Sequence, residues 1–369
     1  MKRIIHIADF YADEIKGGGE LVDQVVVNSL VERGYKVTRI KSKQVTEKLI
    51  KDNAEKTFIV SNFVMLSPAC LRLLQTCDYV IYEHDHKYIV GRDPSPYKDY
   101  RVPATNLTNL EFYRNAKAVF AQSKLHAEVI SKNIREANVI NLGCSLWSDE
   151  ELHVLQKYVD TKKNGKMAVL SSSNEIKGTY QAKSFCEKHN IDYNLIVSLD
   201  YDNFINQLSQ HDGLVFFSQV LETFCRLAVE ARIVNCKLKT NNNLGCASED
   251  WFPKYKGQEL LDFVRSQKTE VIDKVVEVLE SEKRKEFTTA PITVILNAYR
   301  RPYNLRMQID AIRKQTTRPA QVWLWVNEHE DNIGFNFKEL DLDRVFHNDH
   351  NWKFYGRFAA ALLADTEYV

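Results

Sequence analysis

The sequence predicts an α/β protein with parallel, doubly wound sheets, and three observations carry that prediction. Short apolar runs of buried-strand type recur along the chain and alternate with helical patterns. The alternation runs twice, over residues 3–141 and, after a polar helical connection at 148–163, again over 167–240. A break in character at 287–291 is then followed by a third strand, turn, helix and strand. A chain of 369 residues has room for two or three such domains.

In chain order, 3–8 is the first strand. Lys16-Gly-Gly-Gly-Glu20 follows, then an amphipathic helix over 21–33 that Gly34 ends, and a second strand at 35–40. The glycine loop is not G-x-G-x-x-G, so it does not signal a dinucleotide fold. Its glycines still admit close backbone approach, and the helix start favours anions. Further strands are expected at 57–60, 78–82, 117–121 and 138–141. Glu83-His-Asp-His-Lys87 follows one of them at its carboxyl end, where ligands bind in open α/β sheets. His84, Asp85 and His86 are therefore candidates to contact a ligand. The two histidines lack a third ligand at metal spacing, so no metal is assigned to them. Ser123 is placed to cap a helix. In the second block, strands fall at 167–171, 193–197, 213–217 and 235–240, with two amphipathic helical stretches over 251–287.

Composition narrows the function classes. The chain has 50 basic and 49 acidic residues, a net charge of +1, which gives no electrostatic argument for nucleic acid or an anionic membrane. Seven single cysteines, with no C-x-x-C, point to reduced thiols and a cytoplasmic location. The basic-then-apolar start has the character of a signal peptide, but His6 and Asp9 interrupt it, and it reads as the first strand. No stretch approaches the ~20 apolar residues of a transmembrane segment.

The stretch 213–245 concentrates the chemistry. Glu222 lies between a strand and a helix, and Glu230 lies within that helix. At ~1.5 Å per residue, eight steps separate the carboxylates by roughly 12 Å along an axis. Asn241-Asn-Asn-Leu-Gly245 forms the next loop. This E-x7-E segment resembles the donor motif of retaining GT-B glycosyltransferases of family four. The resemblance implies that Glu222 contacts the transferred sugar and Glu230 the nucleotide ribose. It implies two Rossmann-like domains in a GT-B arrangement, with Asn141-Leu-Gly-Cys-Ser145 as the turn that leaves the first and the active site in the cleft between them. In the same family a glycine pair like Gly18-Gly19 lies near the acceptor and the donor phosphates. Its loop after the first strand of the second domain supplies an Arg and then a Lys before Gly. Lys177, before Gly178, matches that Lys, a cation for the leaving diphosphate. The Arg has no counterpart, since Ser172, Ser173 and Asn174 fill the loop; Arg226, inside the E-x7-E segment, is a candidate for the missing charge.

Past the break, a strand at 292–296 leads to Asn297-Ala-Tyr-Arg-Arg-Pro302. A helix lined by Leu305, Ile309 and Ile312 and a strand at 321–326 follow. With Gln315-Thr316, Pro319, the Gly-Arg-Phe-Ala-Ala run ending at Ala360 and the closing Ala364-Asp-Thr-Glu-Tyr-Val369, this resembles the nucleotide-binding half of family-two-like GT-A glycosyltransferases. In that family the metal motif Asp-x-Asp begins where this sequence stops. Asp365 and Glu367 precede the strand that runs into this motif in the family, and read as surface acids.

The expected domains are thus 1–145 (acceptor), 146–286 (nucleotide-sugar donor) and 292–369 (a partial GT-A-like domain, truncated before its metal motif). The expected function is transfer of a sugar from a nucleotide-diphosphate sugar to a hydroxyl acceptor, most simply a saccharide, with retained configuration. Catalytic candidates are Glu222, Lys177 and His84. Donor-binding candidates are Glu230, Lys177, Arg226, Gly18 and Gly19. Acceptor-binding candidates are His84, Asp85 and His86. No metal is expected in the GT-B unit; Mn or Mg is expected only for an intact GT-A unit. The missing Arg keeps open a decayed carbohydrate-binding or scaffold protein, and a nucleotide-sugar epimerase on the same fold is the third alternative.

Overall fold

Thr57–Val60 and Gly213–Phe216 are buried at every residue, the pattern of strands covered on both faces, and parallel sheets form around both. The computed structural model describes residues 2–197, 200–282, 288–313, 315, 317–340 and 342–369. The chain divides into two units, Met1–Arg284 and Lys285–Val369.

The first unit holds two sheets. One is built from β1 (Arg3–Ala8), β2 (Lys36–Lys41), β3 (Thr57–Val60), β4 (Asp78–Tyr82), β5 (Val119–Ala121) and β6 (Val139–Asn141), in the order β2-β1-β3-β4-β5-β6, all parallel. The other is built from β7 (Met167–Ser171), β8 (Tyr193–Val197), β9 (Gly213–Phe216) and β10 (Lys237–Thr240), in the order β10-β9-β7-β8, again parallel. Parallel neighbours need crossovers, and most are helical. They are α1 (Gly18–Glu32), α2 (Glu47–Lys51), α3 (Pro68–Leu74), α4 (Leu110–Asn115) and α5 (Lys124–Asn133) in the first series. In the second they are α6 (Asp149–Tyr158), α7 (Thr179–Lys188), α8 (Tyr201–Ser209) and α9 (Arg226–Ile233). The α/β reading with parallel sheets therefore holds.

The two amphipathic stretches expected over 251–287 are one helix, α10 (Gly257–Glu280), as far as Glu280. Its apolar positions, Leu260, Leu261, Val264, Val271, Ile272, Val275 and Leu279, stay in helical phase for its whole length, so nothing breaks it. Its far end reaches the first sheet. Lys117 Nζ donates to the carbonyl oxygen of Ser281 at 2.7 Å, and Arg33 pairs with Asp273 at 2.6 Å. One apolar core accordingly runs from Ile4 and Val80 to Phe216 and Leu279.

The second unit is smaller. Its sheet is β11 (Thr288–Ala298), β12 (Thr317–Val326) and β13 (Arg344–His347), parallel in that order, with α11 (Leu305–Arg313) and α12 (Tyr355–Ala361). The linker expected at 287–291 is a correction for four of its residues. Thr288 to Ala290 pair in β11 against Thr317 to Pro319, and a register shift before Thr293 admits Pro291; Phe287 lies outside the described residues. The turn expected at Asn297–Pro302 begins only after Ala298, because Asn297 and Ala298 still pair with Trp325 and Val326 in the sheet. Asn327, fully buried after β12, holds this end together. Its amide nitrogen donates to Asn297 at 2.8 Å and to the Lys353 carbonyl at 2.9 Å, and its oxygen accepts from the Trp352 N–H at 2.9 Å. Gly356, within the Gly-Arg-Phe-Ala-Ala run, lies flat against the Trp325 indole, where any Cβ would overlap the ring. Asp365 and Glu367 are exposed.

Candidate active site

In each sheet of the first unit, strand order reverses at one place: between β1 and β3, and between β7 and β9. At such a switch point adjacent loops leave in opposite directions and open a crevice at the strands' carboxyl ends. The loop after β1 carries Gly17 to Gly19 into α1. The loops after β7 and β9 carry Lys177 and Glu222, and α9 carries Arg226 and Glu230. All of these, with His84 from the loop after β4, line one cavity of about 500 Å³. That is within the size range of small-ligand sites.

Lys177 Nζ donates to Glu222 Oε1 at 2.8 Å. Burial opposes the charge on Lys177, but the facing Glu222 carboxylate outweighs it and raises the pKa, so the ammonium is retained. Gly178 makes this placement possible. It lies in the left-handed region (φ 66°), where a Cβ would overlap the Phe217 carbonyl, so the turn at Glu175–Lys177 can press against the loop after β9. Gln219 N–H donates to the Ile176 carbonyl at 2.8 Å across that contact. Glu222 is held by the Asn241–Gly245 loop: its N–H donates to the Asn243 carbonyl at 2.9 Å, and its carbonyl accepts from Gly245 N–H at 2.9 Å.

The helix starts at Arg226 as expected, but the roughly 12 Å axial separation expected between Glu222 and Glu230 needs correcting. Cys225, before α9, has φ 77°, ψ 76°, so half of the eight steps are not helical and that separation does not apply. Glu230 is 5% exposed, and its Oε1 accepts from Trp147 Nε1 at 2.9 Å and from Tyr201 Oη at 3.1 Å. Burial raises its pKa, while Arg226 and the Trp147 bond oppose the rise. Arg226 Nη2 bonds Glu151 and lies 3.6 Å from Glu230, with the guanidinium over the Trp147 ring at 4.9 Å. Sequence reasoning missed Trp147, Glu151 and Tyr201. Ser148-x-x-Glu151 is legible as a capping box, and the box is present, but Glu151's second oxygen turning to Arg226 is a tertiary fact.

His84 has both ring nitrogens engaged. Nε2 lies 2.7 Å from Asp23 Oδ1, and Nδ1 lies 3.1 Å from Gln122 Nε2. Gln122 Nε2 also donates to the Glu83 carbonyl at 3.2 Å, and its Oε1 accepts from Ser145 Oγ at 3.1 Å, which fixes the amide's orientation. An amide donor at Nδ1 makes that nitrogen the acceptor, so Nε2 carries the proton and donates it to Asp23. Asp23 is fully buried and also accepts from Ser61 Oγ at 2.8 Å. Burial would raise its pKa, but His84 and His6 overcome this and hold the carboxyl well below its usual range. An acid inside the apolar run 21–27 is the sequence signal that could have found it.

The other acceptor candidates do not join the cavity lining. Asp85 turns to Lys87, at 2.9 Å, and to Arg92, at 3.2 Å. His86 is fully buried, its Nδ1 3.0 Å from the Tyr88 hydroxyl and its ring edge-on to His126. Of the three, only His84 lines the cavity. Among the described residues no three His, Cys, Asp or Glu side chains group as a metal site, and no helix is long and apolar enough to cross a membrane.

No protein-family model matches the chain, and no curated protein matches it. Solved structures do. An alpha-glucosyltransferase in complex with UDP and a 13-mer DNA aligns at TM-score 0.43 and 12% identity over 75% of this chain and 94% of that one. Anabaena HepE in complex with UDP and glucose aligns at 0.41 and 14%, over 76% and 92%. AviGT4, a glycosyltransferase involved in avilamycin A biosynthesis, aligns at 0.46 and 9%, over 76% and 97%. These neighbours are GT-B glycosyltransferases. At such scores no residue role is carried across from them.

Proposed function

We propose that the first unit is a glycosyltransferase that moves a sugar from a nucleotide-diphosphate donor to a hydroxyl acceptor. One observation carries the reading: the Lys177–Glu222 pair, Glu230 and the glycine start of α1 reach one cleft from the switch points of two parallel sheets. Cleaving the bond between sugar and diphosphate leaves growing negative charge on the bridging oxygen. Lys177, still charged and already in place, supplies the opposing charge without a metal. Glu222 beside it serves as the hydrogen-bond acceptor for sugar hydroxyls. Glu230, with the Tyr201 hydroxyl, is suited to the ribose. His84 presents its ring to the sugar as a wall fixed by Asp23 and Gln122, and not as a base, since both nitrogens are engaged. Retention of configuration, the family-four type, the GT-A-like character of the second unit and a saccharide acceptor are parts of the same proposal.

The test is incubation with a panel of UDP, GDP, ADP and CMP sugars, following nucleotide release. Release that rises with a hydroxyl acceptor supports a transferase. Binding without release supports a carbohydrate-binding scaffold, and sugar isomerisation without release supports an epimerase. Glu222→Gln should keep nucleoside diphosphate binding and lose most release. Unchanged release in that variant would remove Glu222 from the reaction.

A further inference from the structure

A second cavity, of about 470 Å³, opens beside the cleft, and the two meet at Ser172, which lines both. It is built from the loop after β7 and the first turns of α7. Side chains of that segment fix its shape. Thr179 Oγ1 donates to the Leu170 carbonyl at 2.7 Å and accepts from Ser172 N–H at 3.1 Å. Ser172 Oγ accepts from Asn174 N–H at 3.1 Å, and Asn174 Oδ1 accepts from Ile176 N–H at 3.2 Å. A concave surface held in this way exists before a ligand arrives, so binding does not have to order it. The groups left over have a distinct chemistry. Tyr180 lines the cavity and is 76% exposed, so its ring offers a flat apolar face to anything that enters. Among the described residues, no protein hydrogen bond engages the side chains of Ser173 and Gln181, which line it too. A hydroxyl and an amide both donate and accept, as sugar hydroxyls do. Glu175 and Lys183, the charged lining residues, are of opposite sign, so the cavity favours neither an anion nor a cation.

We propose that this second cavity is a saccharide subsite, in which an uncharged pyranose ring lays its C–H face on Tyr180 and bonds its hydroxyls to Ser173 and Gln181. Resting on the transferase reading, the occupant is a unit of the acceptor glycan other than the one that receives the sugar. The glycan passes Ser172 to reach the cleft. The acceptor is then an oligosaccharide, and a monosaccharide would forgo every contact in the second cavity.

The test is calorimetric titration of the full chain with maltotetraose, cellotetraose and chitotetraose, with UDP as the control ligand of the cleft. Tyr180 is exposed, so Tyr180→Ala should leave the urea midpoint and UDP binding unchanged. It should weaken the best-bound tetrasaccharide by about tenfold, whereas Tyr180→Phe, which keeps the ring, should stay within about twofold of wild type. Gln181→Ala should weaken it by about three- to tenfold, the scale of one hydrogen bond. In release assays Tyr180→Ala should raise the tetrasaccharide KM and keep kcat. No binding of any of the three tetrasaccharides overturns the subsite, and so does binding that Tyr180→Ala leaves unchanged. A loss of UDP affinity in Tyr180→Ala overturns it as well, because the cavity would then belong to the donor. Tyr180-dependent tetrasaccharide binding, with no nucleotide release from any donor, keeps the subsite and sinks the transferase reading instead.

Discussion

His86 offers a direct measurement of how closed the first sheet's carboxyl end is. Burial pushes its pKa down to about 4, against the pull of the Asp85 and Asp93 carboxylates. In the unfolded chain a histidine titrates near ~6.5. Between those values the unfolded state binds more protons than the folded one, so stability is full above ~6.5 and falls as pH drops toward the folded value. The loss from this one group is about 2 kcal/mol between pH ~8 and pH ~5, and approaches about 3 kcal/mol in more acid solution. His86→Gln keeps a polar group for the Tyr88 hydroxyl but takes up no proton. His126, whose pKa burial also drives down, remains in both proteins and differs between them only by the smaller contribution of the neighbouring His86. Urea unfolding of the full chain at the two pH values reads the effect. The stability gap between wild type and variant should close by about 2 kcal/mol on acidification. Parallel curves would mean that His86 reaches water or is already protonated in the fold, and the buried placement would fail.

Other expectations follow from the same contacts. Asp23→Ala removes the shared acceptor of His84 and Ser61 from a fully buried site and should cost about 3–5 kcal/mol in urea unfolding; a loss under about 1 kcal/mol would show that water replaces it. Gly178→Ala combines a left-handed backbone with overlap on the Phe217 carbonyl. It should cost more than about 2 kcal/mol and move Lys177, read as lost stability together with lost nucleotide release. Nucleotide release should be indifferent to EDTA and to added Mn²⁺ and fall at least about tenfold in Lys177→Ala. A strictly Mn²⁺-dependent transfer that survives that substitution would place the chemistry elsewhere. A chain shortened to residues 1–286 should unfold cooperatively and keep donor binding; an insoluble product would show that the second unit completes the first.

Much of the fold was legible because buried strands announce themselves. Residues 3–8, 57–60, 78–82, 167–171 and 193–197 were placed to the residue, since each is a short apolar or β-branched run between polar turns. Errors arose where local pattern and tertiary pairing differ. Lys117 and Asn138 have strand-like neighbours but lie before β5 and β6, and Asn235 closes α9 with φ 57° before β10 begins. At 288–290 pairing with 317–319 makes strand out of what composition presents as linker. At the site, the loop positions of Lys177, Glu222 and His84 could be read, because a residue after a strand of a parallel sheet faces the crevice. The partners could not. Trp147 lies 83 residues from Glu230, and Asp23 lies 61 from His84; no spacing rule reaches across such distances.

The loop after β9 has a second duty that its motif does not express. It carries Glu222, and it also joins the two sheets of the first unit. Thr223 Oγ1 donates to the His84 carbonyl at 3.0 Å, the Thr223 carbonyl accepts from Ser123 Oγ at 2.7 Å, and Leu221 N–H donates to Asp93 at 3.0 Å. Each such bond contributes about 0.5–1.5 kcal/mol net, more where a carboxylate accepts. Drawing the sheets apart would break all three and shift Glu222 along with them. Gly245 packs against the same Thr223 carbonyl, too closely for any side chain, and its N–H holds the Glu222 carbonyl. The position of the carboxylate is thus set by the closed arrangement of the two sheets, and not by the helix that follows it in sequence.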